Sequence, residues 1–213
     1  MVVDVERLKR LSGKPSVLVE VGHGRSPAYH FFDKLPLPDQ LYLGLDLKAD
    51  DWRGYDLRRG RADIDERRRS GGPFYRAYLD NDGCLPIREN SVDAIILVMV
   101  TSDNWLDIWT VSRLIAQCAQ ALRDGGVISF VNGPGRLITG DIAIDFQDGS
   151  YGWHDRHCER LVSIPALEGH FQPLSIEEHR GLAARYGAES SDREPGKFYS
   201  SFRRRTDTRT GGA

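Results

Sequence analysis

The stretch Ser16-Val-Leu-Val-Glu20-Val-Gly22-His-Gly24-Arg-Ser26-Pro27 decides the architecture. Ser16 to Val21 is apolar and β-branched, the pattern of a buried strand. Glycines at 22 and 24 allow a sharp bend and the close approach of a ligand. Ser26 suits a helix N-cap and Pro27 the first helical position, with Ala28 to Lys34 continuing the helix. A strand that ends in a glycine turn at a helix start belongs to open α/β sheets, where ligands sit beyond the carboxyl ends of the strands.

The flanking sequence extends this pattern. Leu41 to Leu47 reads as a second strand, after a loop marked by Pro36 and Pro38. Residues 56–69, dense in Arg, Asp and Glu, read as a solvated helix, and Phe74 to Leu79 as a third strand. Ser91 to Val100 is nearly continuous in hydrophobicity, as a strand buried on both faces requires. Between 106 and 123, Ile108, Val111, Leu114, Ile115, Cys118, Ala119 and Leu122 recur at helical spacing. Gly125-Gly126 is expected to stop that helix before a fifth strand, Val127 to Val131. Such alternation argues for a parallel sheet covered by helices. Further helices are expected over residues 3–11 and Ile176 to Tyr186, and a late strand over Lys197 to Arg204. Residues 134–175 are less regular and rich in Gly, His and aromatics. One domain over residues 1–205 is expected, with a flexible tail at 206–213.

Two ligand classes compete for the glycine turn. A dinucleotide site uses GxGxxG to seat a pyrophosphate on the helix N-terminus. Here the third glycine position is Pro27, and Glu20 puts an anion where a pyrophosphate would lie. Both features disfavour a nicotinamide-dependent oxidoreductase. A cationic ligand would welcome the acid.

Glu20-Val-Gly22-His-Gly24-Arg-Ser26 resembles the (Asp/Glu)-x-Gly-x-Gly-x-Gly motif of class I S-adenosylmethionine-dependent methyltransferases, with Ser26 in place of the last glycine. The resemblance implies that Gly22, His23 and Gly24 wrap the methionine part of the cofactor. It implies that Glu20 bears on the cationic amino end, directly or through water. Asp46 closes the second strand as the family's ribose-binding acid does, and a carboxylate accepts the two hydrogen bonds that task needs. Leu47 would pack on the adenine face. Asp80-Asn-Asp82-Gly83-Cys84-Leu85-Pro86, followed by Asn90-Ser91-Val92-Asp93, resembles the stretch whose acid meets the adenine amino group; Asp80 and Asp82 both qualify, with Gly83 beside them. Leu122-Arg-Asp-Gly-Gly-Val127 resembles the family's entry into the fifth strand. The likeness covers residues 15–132. It implies a Rossmann-like α/β fold, a mostly parallel seven-stranded sheet with helices on both faces. Its cofactor would be S-adenosylmethionine and its product S-adenosylhomocysteine.

Mechanism follows from that cofactor. The sulfonium activates the methyl group, so the protein must align a nucleophile and exclude water. A base is needed only where the nucleophile carries a proton. Tyr151, Trp153, His154, Asp155, His157 and Cys158 cluster after the fifth strand, where this family often builds its substrate lid. Residues 134–175 are expected to form such a lid. His154 and His157 are candidate bases; the competing reading is a helix N-terminal turn with packed aromatics. Two His and a Cys so close together lack an established zinc spacing, so no metal is expected. Asp103 lies beyond the fourth strand, where the family borders the transferable methyl, and joins the catalytic candidates. Trp105 and Trp109 beside it either line a substrate pocket or enter the core.

Bulk properties narrow the function. Among 213 residues, 40% are hydrophobic, a globular value, and the formal charge of -2 draws the protein neither to nucleic acid nor to anionic membrane. Cys84, Cys118 and Cys158 lie far apart and read as reduced thiols. The acidic start lacks a secretory pattern, and the apolar run Ala94 to Val100 is too short for a bilayer. A cytoplasmic protein with no membrane partner is expected. Arg58, Arg59, Arg61, Arg67, Arg68 and Arg69 are interleaved with Asp63, Asp65 and Glu66, which favours a solvated helix face over an RNA groove. Arg203, Arg204 and Arg205 leave both readings open. Val98-Met-Val-Thr101-Ser-Asp103-Asn104 is not the Asn/Asp-Pro-Pro-Tyr signature of exocyclic amino methylation, and no Pro-Cys nucleophile is present. The expected reaction is methyl transfer to an oxygen or nitrogen of a small molecule, a metabolite of natural product biosynthesis. The alternatives are an RNA or protein methyltransferase and a non-catalytic domain that binds S-adenosylmethionine. Nothing in the sequence sets the oligomeric state.

Overall fold

The computed structural model describes residues 2–22, 28, 32–46, 74–78, 84–98, 100, 108–131, 141–155, 160–188 and 199–206. The first half runs α1 (Val5–Ser12), β1 (Ser16–Val21), β2 (Gln40–Asp46), β3 (Phe74–Tyr78), β4 (Val92–Val98), α2 (Ile108–Ala121) and β5 (Leu122–Val131). The second half runs β6 (Asp141–Ile144), β7 (Tyr151–Asp155), β8 (Arg160–Val162), α3 (Pro165–His170), β9 (Phe171–Pro173), α4 (Ile176–Tyr186) and β10 (Tyr199–Arg204).

Seven strands form one sheet in the order β3-β2-β1-β4-β5-β10-β9. β10 runs antiparallel to both neighbours, and the other six strands run together. From β1 the chain builds outward through β2 and β3, then returns to β4 and β5 on the other side. The winding therefore reverses between β1 and β4, and ligands in open α/β sheets sit at that reversal, beyond the carboxyl ends.

Alternation along β1 divides the core. Val17, Val19 and Val21 face one side with Leu41, Leu43, Ile95, Leu97, Ile128 and Phe130. Val111, Leu114, Ile115 and Cys118 of α2 cover them. Leu18, Tyr42, Ala94, Ile96, Val98 and Val131 face the other side under Ala28, Phe32 and the α4 residues Leu182, Ala183 and Tyr186. Burying each large side chain contributes about 1.5–3 kcal/mol, so the two faces together hold the sheet rigid.

Past β5 the chain leaves the main sheet and forms a second one, β6-β7-β8, antiparallel throughout. Ile142 and Ile144 of β6 join the core on the α2 side. The hydroxyl of Ser200 donates to the carbonyl oxygen of Ile142 at 3.2 Å, tying β6 to β10. The ring of Tyr151 lies 5.4 Å from that of Phe202 and completes the attachment.

Several expectations change. Asp33 and Lys34 are not helical: their amides donate to the carbonyls of Gly187 and Tyr186, and Phe32 bridges to Ala188. The helix before β5 ends at Ala121, and β5 starts at once with Leu122 rather than after the glycines. Leu122 pairs with Val92, and a register shift separates that pair from Ala94 with Val127. The cluster at 151–155 is a strand, not a helix N-terminal turn. Among its described residues, the irregular segment 134–175 holds four strands and a helix. The basic stretch 56–69 and the tail 207–213 lie outside the described residues.

Candidate functional site

The carboxyl edge of the sheet is assembled by register. Val21 pairs with Leu45 and with Leu97, Asp46 pairs with Tyr78, and Val98 pairs with Val131. Val131 pairs in turn with Tyr199, the first residue of β10. The amide of Gly22 donates to the carbonyl of Leu45 at 3.0 Å, which sets Gly22 directly beside Asp46. Gly22 has φ +84, and a Cβ there would meet Val98 and Val100 at the end of β4. Glycine is therefore required twice over, by conformation and by space.

Glu20 lies on the α4 side of β1 and is fully buried. Its Oε1 accepts from the amide of Ala28 at 2.7 Å. Its Oε2 accepts from the Tyr42 hydroxyl. Opposite Glu20 in the register is Gly44, so no side chain there competes for the space that the phenol of Tyr42 crosses. A buried carboxylate is tolerable only where donors meet it, and each such charged hydrogen bond contributes about 1.5–3 kcal/mol. The pair of bonds joins the end of β1 to residue 28, across the glycine turn.

No family model matches the sequence. No curated protein matches it. Solved structures do match. A Pyrococcus horikoshii protein is 10% identical, with 94% of this chain and 87% of that one covered and a TM-score of 0.50. An S-adenosylmethionine-dependent methyltransferase from Mesorhizobium loti is 20% identical, with 93% and 96% covered and a TM-score of 0.46. An aminoglycoside resistance methyltransferase is 16% identical, with 96% and 94% covered and a TM-score of 0.49. Such low identities speak to the fold alone. The fold shared with the Pyrococcus horikoshii protein is a Rossmann-like open α/β sheet.

Within this fold, the residues singled out in the sequence fall as follows. Gly22 and Asp46 close β1 and β2 side by side, and Glu20 lies beneath them in the core. His154 is half-buried on β7, paired with Asp141 on β6 and Leu161 on β8. His23, Gly24, Leu47, Asp80, Asp82, Gly83, Asp103 and His157 lie outside the described residues, as do Trp105 and Cys158. Trp109, in the first turn of α2, is 80% exposed, so it is not a core residue. Among the described residues no group of three metal-ligating side chains occurs, and no helix is long and apolar enough to cross a membrane.

Arg203, Arg204 and Arg205 are occupied by protein partners. Arg203 donates to Glu178 at 2.7 Å and to the carbonyl of Gly125 at 3.2 Å. Arg204 bonds Asn90 and the carbonyl of Leu122 and stands 3.6 Å from Asp124. Arg205 donates to the carbonyl of Phe171 at 2.7 Å. The terminal basic run thus locks strands together.

Three residues escaped the sequence reading. Tyr42 is one. The others are His179 on α4 and Tyr199 on β10, whose rings lie 4.5 Å apart under Phe146 of the β6–β7 hairpin. His179 is 5% exposed, and its Nδ1 has no hydrogen-bond partner among the described residues. Burial pushes its pKa down from 6.5 to about 4. The Tyr199 phenol is pushed well above its ordinary value, chiefly by burial, while the nearby hydroxyls of Ser201 and Ser129 pull it down by less. His179 sits in the mostly polar stretch Ser175-Ile-Glu-Glu-His-Arg-Gly181, so nothing in the sequence marks it as buried.

Proposed function

We propose that this protein transfers a methyl group from S-adenosylmethionine to an oxygen or nitrogen of a small molecule, a biosynthetic metabolite. One observation carries the reading: Gly22 and Asp46 close adjacent strands next to the point where the winding of the sheet reverses. A glycine at the close of one strand beside an acid at the close of the next fits a nucleoside whose ribose meets the acid and whose tail passes the glycine. Gly22 and Gly24, with His23, would hold the methionine part. Asp46 would accept from the ribose hydroxyls, and Leu47, Asp80, Asp82 and Gly83 would border the adenine.

The bound cofactor supplies an electrophilic methyl group. The chain's own work is to orient the acceptor and keep water out. The segment 134–175 serves as the lid, within a single domain over residues 1–205. Its attachment through Ser200 to Ile142 fixes β6 beside the start of β10, at the carboxyl edge. His154, on β7 of that segment, and His157 and Asp103 are the candidates for taking the acceptor's proton. Internal use of Arg203, Arg204 and Arg205 supports a small acceptor over a polyanionic one.

Titration calorimetry with S-adenosylmethionine, S-adenosylhomocysteine and NAD tests the cofactor. Binding of the first two and not the third is expected; binding of NAD instead would overturn the reading. Methyl transfer is then read with labelled cofactor over a panel of small hydroxyl and amine acceptors, with an RNA pool as the competing class. Salt-sensitive methylation of the RNA alone would move the substrate to that class.

A further inference from the structure

Glu20 and Tyr42 form a buried polar contact beside Gly22, and their geometry differs from that of a ligand-facing acid. Glu20 is 0% exposed. One oxygen is taken by the backbone of Ala28, eight residues along the chain, and the other by a phenol on the neighbouring strand. Tyr42 is 1% exposed and stands two residues before Gly44, the register partner of Glu20. Gly22 is held separately to β2 through its amide.

We propose that Tyr42 and Glu20 are positioning residues: the Tyr42 hydroxyl holds the Glu20 carboxylate so that it grips the Ala28 amide. This clamp fixes Ala28 to the end of β1 before any ligand arrives. It rests on the cofactor reading given above, and it assigns Glu20 a hydrogen-bonding task rather than a charge presented to the cofactor's amino group. The clamp preorganises the turn, so that binding does not have to order it. Charge and hydrogen bonding make opposite demands on substitution. Gln at position 20 keeps an oxygen for the Ala28 amide and gains an NH2 that donates to the phenol oxygen. Ala keeps neither bond.

The test measures S-adenosylhomocysteine affinity by calorimetry together with hydrogen exchange of the Ala28 amide in the ligand-free protein. Glu20→Ala should weaken affinity about 100-fold, as loss of two charged hydrogen bonds predicts, and Glu20→Gln by no more than about threefold. Tyr42→Phe keeps the ring and its packing; it should weaken affinity about tenfold and speed Ala28 exchange. In the Glu20→Ala background its effect on affinity and on Ala28 exchange should be smaller than in the wild type, because the two substitutions remove the same bond. Equal losses in Glu20→Gln and Glu20→Ala would overturn the proposal in favour of direct charge. Unchanged affinity and exchange in Tyr42→Phe would overturn it as well. Absence of binding to the wild-type protein would overturn the cofactor reading itself. The Ala28 exchange rates, which need no ligand, would then still decide whether the clamp exists.

Discussion

A Cβ built on Gly22 would stand 2.7 Å from the carbonyl oxygen of Val98, so the carboxyl ends of β1 and β4 meet with no room for a side chain between them. The glycine therefore serves the sheet as well as any ligand. Gly22→Ala combines this clash with a left-handed φ of +84 that costs an L-residue about 1–2 kcal/mol by itself. We expect it to lower unfolding free energy by at least about 2 kcal/mol in urea denaturation. The loss should appear without any ligand. A variant with wild-type stability that fails only in binding would show that ligand approach alone demands the glycine.

β1, β2, β4 and the second half of β5 were legible because each carries a run of mostly apolar residues. The glycine turn and Asp46 were legible because they stand where those runs end. Other features depend on distances the sequence does not order. β6 to β9 are three to five residues long, too short for a period to emerge. The boundary at Ala121 and Leu122 was invisible because Leu122 continues the helical apolar spacing while pairing with Val92 as a strand. Glu20 was visible as an acid, but its role depends on Tyr42, and that contact needs the parallel register that sets Glu20 opposite Gly44. Exposure of Trp109 likewise follows from where α2 sits and not from its residue type.

Asp46 should be the most sensitive position for the ribose. Asp46→Asn keeps size but loses the charge and one of the two good acceptors. S-adenosylhomocysteine affinity should fall about 10- to 100-fold, consistent with loss of charged hydrogen bonds, with the melting temperature of the ligand-free protein unchanged. Equal affinity in calorimetry would remove Asp46 from the site.

His179 makes stability depend on pH. Its folded pKa is about 4, below the ordinary 6.5, so the unfolded chain binds the proton more readily. The stability it permits is fully present above pH 6.5 and is lost as pH falls through 4. Linkage across that interval amounts to about 3 kcal/mol. The groups facing it are the Tyr199 phenol from β10 and the uncharged ring of Phe146, so no carboxylate among its ring neighbours offsets the proton. His179→Phe should flatten the pH dependence of urea denaturation between pH 4 and pH 6.5. An unchanged slope would assign the acid sensitivity to other groups.

Asp93 provides the contrasting case at the amino edge of the sheet. Its Oδ2 accepts from the amide of Val17 at 2.7 Å, and Oδ1 meets the Arg123 guanidinium as an ion pair. Val17 is fully buried, so removing the acceptor strands a backbone donor inside the core. The ion pair adds little, since Arg123 is 59% exposed and solvent screens it. Asp93→Ala should therefore cost about 1–3 kcal/mol. Asp93→Asn, whose amide oxygen still accepts from Val17, should recover most of it. Both lie at the far ends of β1 and β4 from Gly22 and Asp46, so S-adenosylhomocysteine affinity should stay at the wild-type value in each. A change in affinity matching that of Asp46→Asn would mean that disturbance at one edge of the sheet reaches the other, and the separation of scaffold from site drawn from the strand register would fail.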